Sequence, residues 1–245
     1  MENKFERTIQ ALGEAAFERL QNVRVILFGV GGVGGWCAEA LVRTGIQHLT
    51  MVDFDIVNPS NLNRQLVATS ANLGGLKADE MRKRLLLVNP DAQITALPLR
   101  YNSETAEQFD FNQYDYVIDA IDSVADKALL LTQATRSTAK VFSSMGAGRK
   151  IDTSAIRVSR FNKVEGCPLA RALRLRLKKM ATDEGSSVFN AQLAAIPCVW
   201  SPEIKTDNGT IAPVVGVFGM TLADLVIKDV VQTINEQTSD DGDVR

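Results

Sequence analysis

A glycine-rich segment is the first part of the sequence whose residues could do chemistry. It reads Gly-Val-Gly-Gly-Val-Gly-Gly over residues 29–35, between an apolar run at 23–28 and a stretch with helical spacing. Glycines let a backbone turn tightly and approach a phosphate, and the first turn of a helix offers unpaired N–H groups to an anion. The segment therefore predicts a nucleotide site that uses four glycines: Gly29, Gly31, Gly32 and Gly34.

A carboxylate follows at a suitable separation. Asp53 ends the next predicted strand, about 20 residues after the glycines, where it could accept hydrogen bonds from ribose hydroxyls. A protein that binds NAD would have the same two features. They indicate a nucleotide ligand and leave the reaction open.

The elements that must position these residues alternate between strand and helix. Apolar runs predict strands, and stretches of 3.6-residue periodicity that end at Asn, Pro or Gly signals predict the helices between them. Alternation of this kind is typical of right-handed β-α-β units. We therefore predict an α/β fold, a Rossmann-like and mostly parallel sheet with helices on both faces and a C-terminal extension. The predicted strands are 23–28, 49–53, 94–97, 116–120, 140–144, 155–159 and 195–200; the predicted helices are 33–43, 77–88, 103–109, 125–137, 168–180 and 214–234.

Three further motifs narrow the ligand. Residues 53–65 read Asp-Phe-Asp-Ile-Val-Asn-Pro-Ser-Asn-Leu-Asn-Arg-Gln, Lys77 follows Gly-Gly-Leu, and residues 119–123 read Asp-Ala-Ile-Asp-Ser after a predicted strand. Together with the glycine segment, and in this order, they resemble the signature of the ubiquitin-activating (E1-like) adenylating superfamily. That superfamily includes the adenylating partners of molybdopterin and thiamine synthesis.

The resemblance implies an ATP site and a role for each matching residue. Arg64 and Lys77 are suited to the phosphates, Arg by its planar fork and Lys as a point charge. Asn61 could position the reacting phosphate, and Asp122 could hold Mg²⁺, which binds few protein carboxylates. The nucleotide-binding set implied is Gly29, Gly31, Gly32, Gly34, Asp53, Asn61, Asn63, Arg64, Lys77, Asp122 and Ser123.

One N-terminal arginine also matches the superfamily. Arg7, in Phe-Glu-Arg-Thr at residues 5–8, resembles an arginine that dimeric members extend into the active site of the partner subunit. The resemblance therefore implies a homodimer in which Arg7 is catalytic. An ordinary solvated arginine is the alternative.

Finer details resemble the tRNA threonylcarbamoyladenosine dehydratase branch. They are the glycine segment with Trp36, the block 116–123, Met-Gly-Ala-Gly at 145–148 and Cys-Pro-Leu-Ala-Arg at 167–171. This branch implies that ATP adenylates the carboxylate of N6-threonylcarbamoyladenosine in tRNA. The carbamoyl group of the substrate then closes the ring, and AMP and pyrophosphate are released.

Two other functions stay open at this point. The first is adenylation of the C-terminus of a ubiquitin-like sulfur-carrier protein, which would make a sulfur-transfer system a partner. The second is a protein that binds NAD, which leaves Arg64 and Lys77 without a role. Many enzymes that activate ubiquitin-like proteins have paired C-x-x-C zinc motifs, and the three cysteines here, Cys37, Cys167 and Cys198, form none.

A tRNA substrate requires a local basic surface, because the formal net charge of the chain is −2. In the predicted helix 168–180, Arg171, Arg174 and Lys178 occur at i, i+3 and i+7, opposite an apolar stripe. We predict that these three residues bind nucleic acid, with Arg149 and Lys150 extending the patch. A solvated helix face is the alternative.

Composition limits the remaining possibilities. The few scattered cysteines indicate a reducing, cytoplasmic location, and the charged N-terminus is unlike a signal peptide. The apolar stretch 211–227 is interrupted by Pro213, Gly216 and Gly219, so we predict a buried or dimer-interface helix without a membrane span, with peripheral membrane contact as the alternative. His48 is the single histidine and is predicted to be structural.

The predicted domain organisation has three parts. Residues 1–150 form the ATP-binding adenylation core, and residues 151–235 form a substrate-binding and dimerisation part of the same domain. The polar, acidic residues 236–245 are predicted to be a disordered tail.

Overall fold

The computed structural model describes residues 4–183, 191–207 and 209–242. Within them a single sheet of seven strands runs in the order β3-β2-β1-β4-β5-β7-β6. All neighbouring strands are parallel except β6 and β7, which are antiparallel. The strands are β1 Arg24–Phe28, β2 His48–Val52, β3 Gln93–Leu97, β4 Tyr116–Asp119, β5 Lys140–Ser144, β6 Arg157–Arg160 and β7 Pro197–Trp200.

Helices cover both faces of this sheet, each with its own apolar core. Helices α3, α4 and α8 pack on one face, and α5, α6 and α7 pack on the other. The central strands are buried on both sides, which explains their unbroken apolar runs. The predicted fold class is confirmed. The helices are α1 Glu6–Leu12, α2 Glu14–Asn22, α3 Gly34–Thr44, α4 Lys77–Val88, α5 Val124–Ala134, α6 Pro168–Asp183, α7 Ala191–Ala195 and α8 Ala212–Gly242.

The apolar stretch at 211–227 forms the first half of α8. It packs closely on α3, since a Cβ added at Gly219 would lie 2.4 Å from the carbonyl oxygen of Val33 and 2.7 Å from Cβ of Trp36. The buried residues of α8 in this contact include Val214, Phe218, Leu222 and Val226. Across the described ranges, no helix is both long and apolar enough to cross a membrane.

Two predicted elements differ in the structure. The helix predicted at 103–109 is a 3₁₀ turn, Ala106–Gln108, because Phe109 and Phe111 turn inward to pack around Phe28 and Tyr101. Helix α8 continues to Gly242, so the backbone of residues 236–242 is helical and not the disordered tail we predicted; residues 243–245 lie outside the described residues.

Candidate active site

A cavity of about 690 Å³ opens at the carboxyl ends of the parallel strands. Strand β1 lies between β2 and β4. Strands β2 and β3 extend the sheet on one side of β1, and β4 and β5 extend it on the other, so the order in which strands are added reverses here. Ligands of doubly wound sheets bind at such a switch point. Of the predicted nucleotide-binding residues, nine line the cavity: Gly29, Gly31, Gly32, Asp53, Asn61, Arg64, Lys77, Asp122 and Ser123.

The glycine loop joins β1 to α3 and serves two purposes. Gly29 has φ 87°, and a Cβ there would lie 2.7 Å from the carbonyl oxygen of Ala120, the residue after β4. A Cβ at Gly34 would lie 1.8 Å from the carbonyl oxygen of Gly29. Gly34 does not line the cavity. It closes the turn, so the loop can present Gly31 and Gly32 to a ligand.

Asp53 links this loop to the next strand. Its two carboxylate oxygens accept hydrogen bonds from the backbone N–H of Val30 (2.6 Å) and of Asp55 (2.8 Å). Burial raises the pKa of Asp53 above the ordinary carboxyl value, and the two hydrogen bonds act in the opposite direction. Asp53 therefore organises two loops of the site, besides lining the cavity.

Lys77, the first residue of α4, is buried although it is charged. Its Nζ lies 2.8 Å from Oδ2 of Asp55, and its backbone N–H donates to the carbonyl oxygen of the same residue. A buried ammonium group needs an anionic partner, and Asp55 provides it. Asp55 is half exposed and lines the cavity, so the pair faces the space where a ligand would bind.

The polar turn between β2 and α4 is held by its own side chains. Asn58 and Asn61 form reciprocal cap hydrogen bonds around the 3₁₀ turn Pro59–Asn61. Arg64 Nη1 donates to the carbonyl oxygen of Ser60 (2.8 Å) and to Oδ1 of Asn63 (2.9 Å). These contacts hold the turn together, and Arg64 lines the cavity.

Asn63 does not line the cavity. Its Nδ2 donates to the carbonyl oxygen of Thr210 (3.1 Å), in a segment that crosses above the site. The Oγ1 of Thr210 donates in turn to the carbonyl oxygen of Ala147 (3.1 Å). The structure thus gives Asn63 a contact with the overlying segment, and direct contact with a nucleotide stays a prediction.

A buried ion pair supports the loop that follows β4. Lys127 Nζ lies 2.6 Å from Oδ2 of Asp119, and both side chains are fully buried. Ser143 also donates to Asp119, and Lys127 donates to the carbonyl oxygen of Ile121. The loop so held presents Asp122, which is exposed and has no hydrogen-bond partner among the described residues.

Two residues that sequence reasoning missed also face the cavity. Gln65 is 8% exposed, and its Oε1 has no hydrogen-bond partner among the residues that the structure describes. Arg100 follows β3; it pairs with Asp126 at 2.8 Å and stacks over the ring of Phe54. The rule that ligands meet the carboxyl ends of parallel strands could have identified Arg100, whereas nothing in the spacing distinguished Gln65 from its polar neighbours.

The basic residues of α6 do not all point outward as predicted. Arg171 and Lys178 are exposed. Arg174 instead donates to the carbonyl oxygens of Phe161 (2.6 Å) and Val164 (2.7 Å) and stacks on the ring of Phe161. Its guanidinium group is therefore engaged within the fold, so Arg174 is not the outward-pointing cation that the helix spacing predicted.

The predicted extension of the basic patch is also wrong. Lys150 is buried, and its Nζ donates to the carbonyl oxygens of Ser201 and Glu203. Burial lowers the pKa of Lys150. Arg149, whose φ is 63°, donates to the carbonyl oxygens of Lys205 and Thr206. Both cations hold the segment above the cavity.

The other predicted residues lie away from the cavity. Arg7 is exposed on α1 and does not contribute to the cavity of its own chain. Cys37, Cys167 and Cys198 are buried. Burial raises the pKa of Cys37 and of Cys198 well above the ordinary thiol value, so neither is a ready nucleophile.

Comparison with known proteins identifies the family of the chain. The model of the ThiF family matches residues 5–241. A tRNA threonylcarbamoyladenosine dehydratase of Bacillus subtilis (strain 168) is 35% identical over 85% of this chain and 82% of its own. The structure of the Escherichia coli tRNA N6-threonylcarbamoyladenosine dehydratase in complex with ATP has a TM-score of 0.87 and 33% identity, and the match covers 96% of each chain. A Saccharomyces cerevisiae (strain YJM789) adenylyltransferase and sulfurtransferase is 32% identical over 63% of this chain and 34% of its own. The chain belongs to the ThiF family.

Proposed function

We propose that this chain catalyses the ATP-dependent cyclisation of N6-threonylcarbamoyladenosine in tRNA, with loss of water and release of AMP and pyrophosphate. The observation that carries the proposal is the convergence of the glycine loop, Arg64 and the buried Lys77 on one cavity at the switch point. The dehydratases of Bacillus subtilis and Escherichia coli, which match most of this chain, support the choice of substrate.

The first step brings two anions together. A carboxylate oxygen of the substrate attacks the α-phosphorus of ATP, the new O–P bond forms, and the bond from that phosphorus to the leaving pyrophosphate breaks. Cations and fixed N–H dipoles must stabilise the charge that develops. Lys77, Arg64 and the N–H groups of the glycine loop line the cavity and are suited to this role.

The second step needs no nucleophile from the protein. The carbamoyl group of the substrate attacks the adenylated carbonyl, the new ring bond forms, and AMP leaves with the bonding electrons. Proximity within one molecule accelerates such a closure. The burial of all three cysteines is consistent with a reaction that uses no thiol.

Mg²⁺ is the metal that this site fits. Mg²⁺ is usually held by one or two carboxylates together with substrate phosphates and water. Asp122 is exposed at the cavity and unpaired among the described residues, so it could supply one ligand. The bound ion would neutralise charge on the triphosphate.

The assembly and location remain proposals. We infer a homodimer in which Arg7, exposed on α1, reaches the site of the partner subunit. We also propose residues 1–150 as the adenylation core and residues 151–235 as the substrate-binding part; Leu169, Thr210 and Val215 from the second part line the same cavity. We further propose a cytoplasmic location and a sulfur-transfer system as a functional partner.

Mass spectrometry of tRNA nucleosides tests the proposal. The protein is incubated with ATP, Mg²⁺ and tRNA that contains threonylcarbamoyladenosine, and the same tRNA without ATP is the control. We expect this nucleoside to lose the mass of one water only when ATP is present. AMP should form in equal amount.

The competing function is tested in parallel. Pyrophosphate exchange is measured with a small protein that ends in Gly-Gly and no tRNA. Exchange that depends on this protein, together with unchanged nucleoside masses, would show that the acceptor is a protein C-terminus.

A further inference from the structure

Positive charge is concentrated in one stretch of the chain. Residues 157–180 include eight Lys and Arg residues and one acid, Glu165. The whole chain has 27 Lys and Arg and 29 Asp and Glu residues, so 19 and 28 remain elsewhere. The formal charge is therefore +7 in these 24 residues and −9 in the rest. This stretch includes β6 and the 3₁₀ turn Phe161–Lys163 as well as most of α6.

The register of β6 decides which of its cations face α6. Arg157 lies opposite Trp200, and Ser159 lies opposite Cys198; the indole Nε1 of Trp200 donates to Oγ of Ser159 at 2.8 Å. Trp200 and Cys198 belong to the core on the face of α5 and α6. Residues directly opposed in an antiparallel pair share a face, so Arg157 is on the same side of the sheet as α6.

Arg160 is on the other side. It is two residues from Val158, which lies opposite Val199, and Val199 packs in the core beneath α8. Alternate residues of a strand share a face. Arg160 is exposed like Arg157 but points away from α6.

Strand β6 starts at the carboxyl edge of the sheet, the edge at which the cavity opens, and helix α6 starts at the cavity itself. Trp200 ends β7 at the carboxyl edge of the sheet, so Arg157 at the start of antiparallel β6 is at that edge too. Leu169, in the first turn of α6, lines the cavity. Further along α6, the bonds from Arg174 to the carbonyl oxygens of Phe161 and Val164 fix the helix beside the 3₁₀ turn that ends in Lys163.

Two rows of exposed cations result, which we call the two-row surface. One row consists of Arg157 and Lys163, and the other of Arg171 and Lys178. Within the described part of the chain, no acidic side chain forms an ion pair with any of the four. They are therefore available to an external anion.

The dimensions suit a nucleic-acid strand. Arg171 and Lys178 are seven residues apart, or about 10 Å along a helix. At ~3.4 Å of axial rise per nucleotide of one strand, this distance spans about three phosphates. A chain of regularly spaced phosphates fits a row of cations better than a single small anion would.

We propose that the two-row surface binds the sugar–phosphate backbone of the tRNA and directs the modified adenosine into the cavity. The proposal rests on the proposed function, because it takes the substrate to be RNA. It adds Arg157 and Lys163 to the nucleic-acid contacts. It assigns Arg174 as a positioning residue that holds the two rows side by side.

The test compares two pairs of charge-removing substitutions. The test variant is Arg157→Gln with Lys163→Gln. The control is Arg160→Gln with Lys83→Gln, which removes the same amount of charge. Arg160 lies on the opposite face of β6, and Lys83 lies on α4, which packs on β3 at the far edge of the sheet. The dissociation constant for tRNA containing threonylcarbamoyladenosine is measured as a function of salt concentration.

We expect the test variant to bind tRNA about tenfold or more weakly at low salt, and the slope of log K against log[salt] to fall by about 2, or about 1 for each lost phosphate contact. The control should stay within about twofold of the wild-type protein, because its cations are off the surface. Equal losses in both variants, or unchanged binding in the test variant, would overturn the proposal. Lost binding to phosphatidylserine vesicles with unchanged tRNA binding would also overturn it.

The outcome is separable from that of the proposed function. The same wild-type preparation is assayed for loss of water from threonylcarbamoyladenosine. If it converts the nucleoside while the test variant binds tRNA normally, the two-row surface is wrong and the function stands. If the wild-type protein converts nothing, but the test variant shows the expected losses of tRNA affinity and salt dependence, the two-row surface stands and the function is wrong.

Arg174 is tested by a different readout. Arg174→Ala should lower both the thermal midpoint and the tRNA affinity, because it frees two buried carbonyl groups and loosens α6 from the 3₁₀ turn. Arg171→Ala should lower only the tRNA affinity. Reduced affinity in Arg174→Ala with an unchanged thermal midpoint would indicate direct contact with the RNA and refute the positioning role.

Discussion

Nζ of Lys77 lies 2.8 Å from Oδ2 of Asp55, and this pair joins a lysine side chain that is 5% exposed to a carboxylate that is 49% exposed. The carboxylate is therefore the half of the pair that a bound triphosphate can replace. Before ATP binds, Asp55 compensates the buried charge; afterwards the phosphates can share that role. We therefore expect the pair to couple the stability of the protein to occupancy of the site by ATP.

Substitution of Asp55 and substitution of Lys77 should have opposite effects on the thermal stabilisation of the protein by ATP. Asp55→Asn leaves the ammonium group buried and unpaired, so we expect a lower thermal midpoint and a larger upward shift on adding ATP, because the ligand then supplies the missing anion. Lys77→Ala should abolish that shift and reduce adenylation by at least about 100-fold. Differential scanning fluorimetry with and without ATP measures both. Equal ATP-induced shifts in Asp55→Asn and wild-type protein would show that the phosphates do not replace Asp55.

Adjacent glycines of α3 provide a matched test of the glycine loop. Gly34→Ala places a Cβ 1.8 Å from the carbonyl oxygen of Gly29, so the turn must open and ATP binding should be lost. Gly35→Ala meets Leu66 and Val30 at 3.8 Å, an ordinary contact, and should stabilise the helix or leave it unchanged. Isothermal titration with ATP distinguishes the two. Retained binding in Gly34→Ala would show that the loop tolerates a wider turn.

The buried pair of Lys127 and Asp119 should matter for stability and for the loop that presents Asp122. Lys127→Met leaves the Asp119 carboxylate without its ion-pair partner, which costs about 3–5 kcal/mol of unfolding free energy. The double variant with Asp119→Asn should lose less than the sum of the single losses, because the two residues interact. Urea unfolding measures these differences. Additive losses would mean that the pair contributes no coupling.

The cysteines distinguish internal cyclisation from thiol transfer. Cys37, Cys167 and Cys198 are buried, and the proposed second step needs none of them. Each Cys→Ala variant should therefore keep its rate of nucleoside conversion within about threefold of wild type, apart from losses due to lower stability. Loss of conversion in a variant with an unchanged thermal midpoint would indicate a catalytic thiol.

Sequence patterns alone predicted the fold class and nine of the residues that line the cavity. The sheet could be located from apolar runs, which are continuous because both faces of the central strands are buried. The loop after β1 could be located from the glycines that its tight turn requires. Asp53 directly follows β2 and Lys77 starts α4, while Asn61 and Asp122 lie in the segments that follow β2 and β4. Their position in the chain therefore already placed them at one site.

Only the tertiary structure decided how individual side chains are used. Arg174 and Lys150 look like surface cations in the sequence, yet backbone carbonyl groups brought close by packing engage them both. Gln65 is part of the site because a turn folds it inward. Arg157 and Arg160 face opposite sides of the sheet because the pairing of β6 with β7 sets their register. Such assignments depend on contacts between residues far apart in the chain, which spacing along the sequence does not encode.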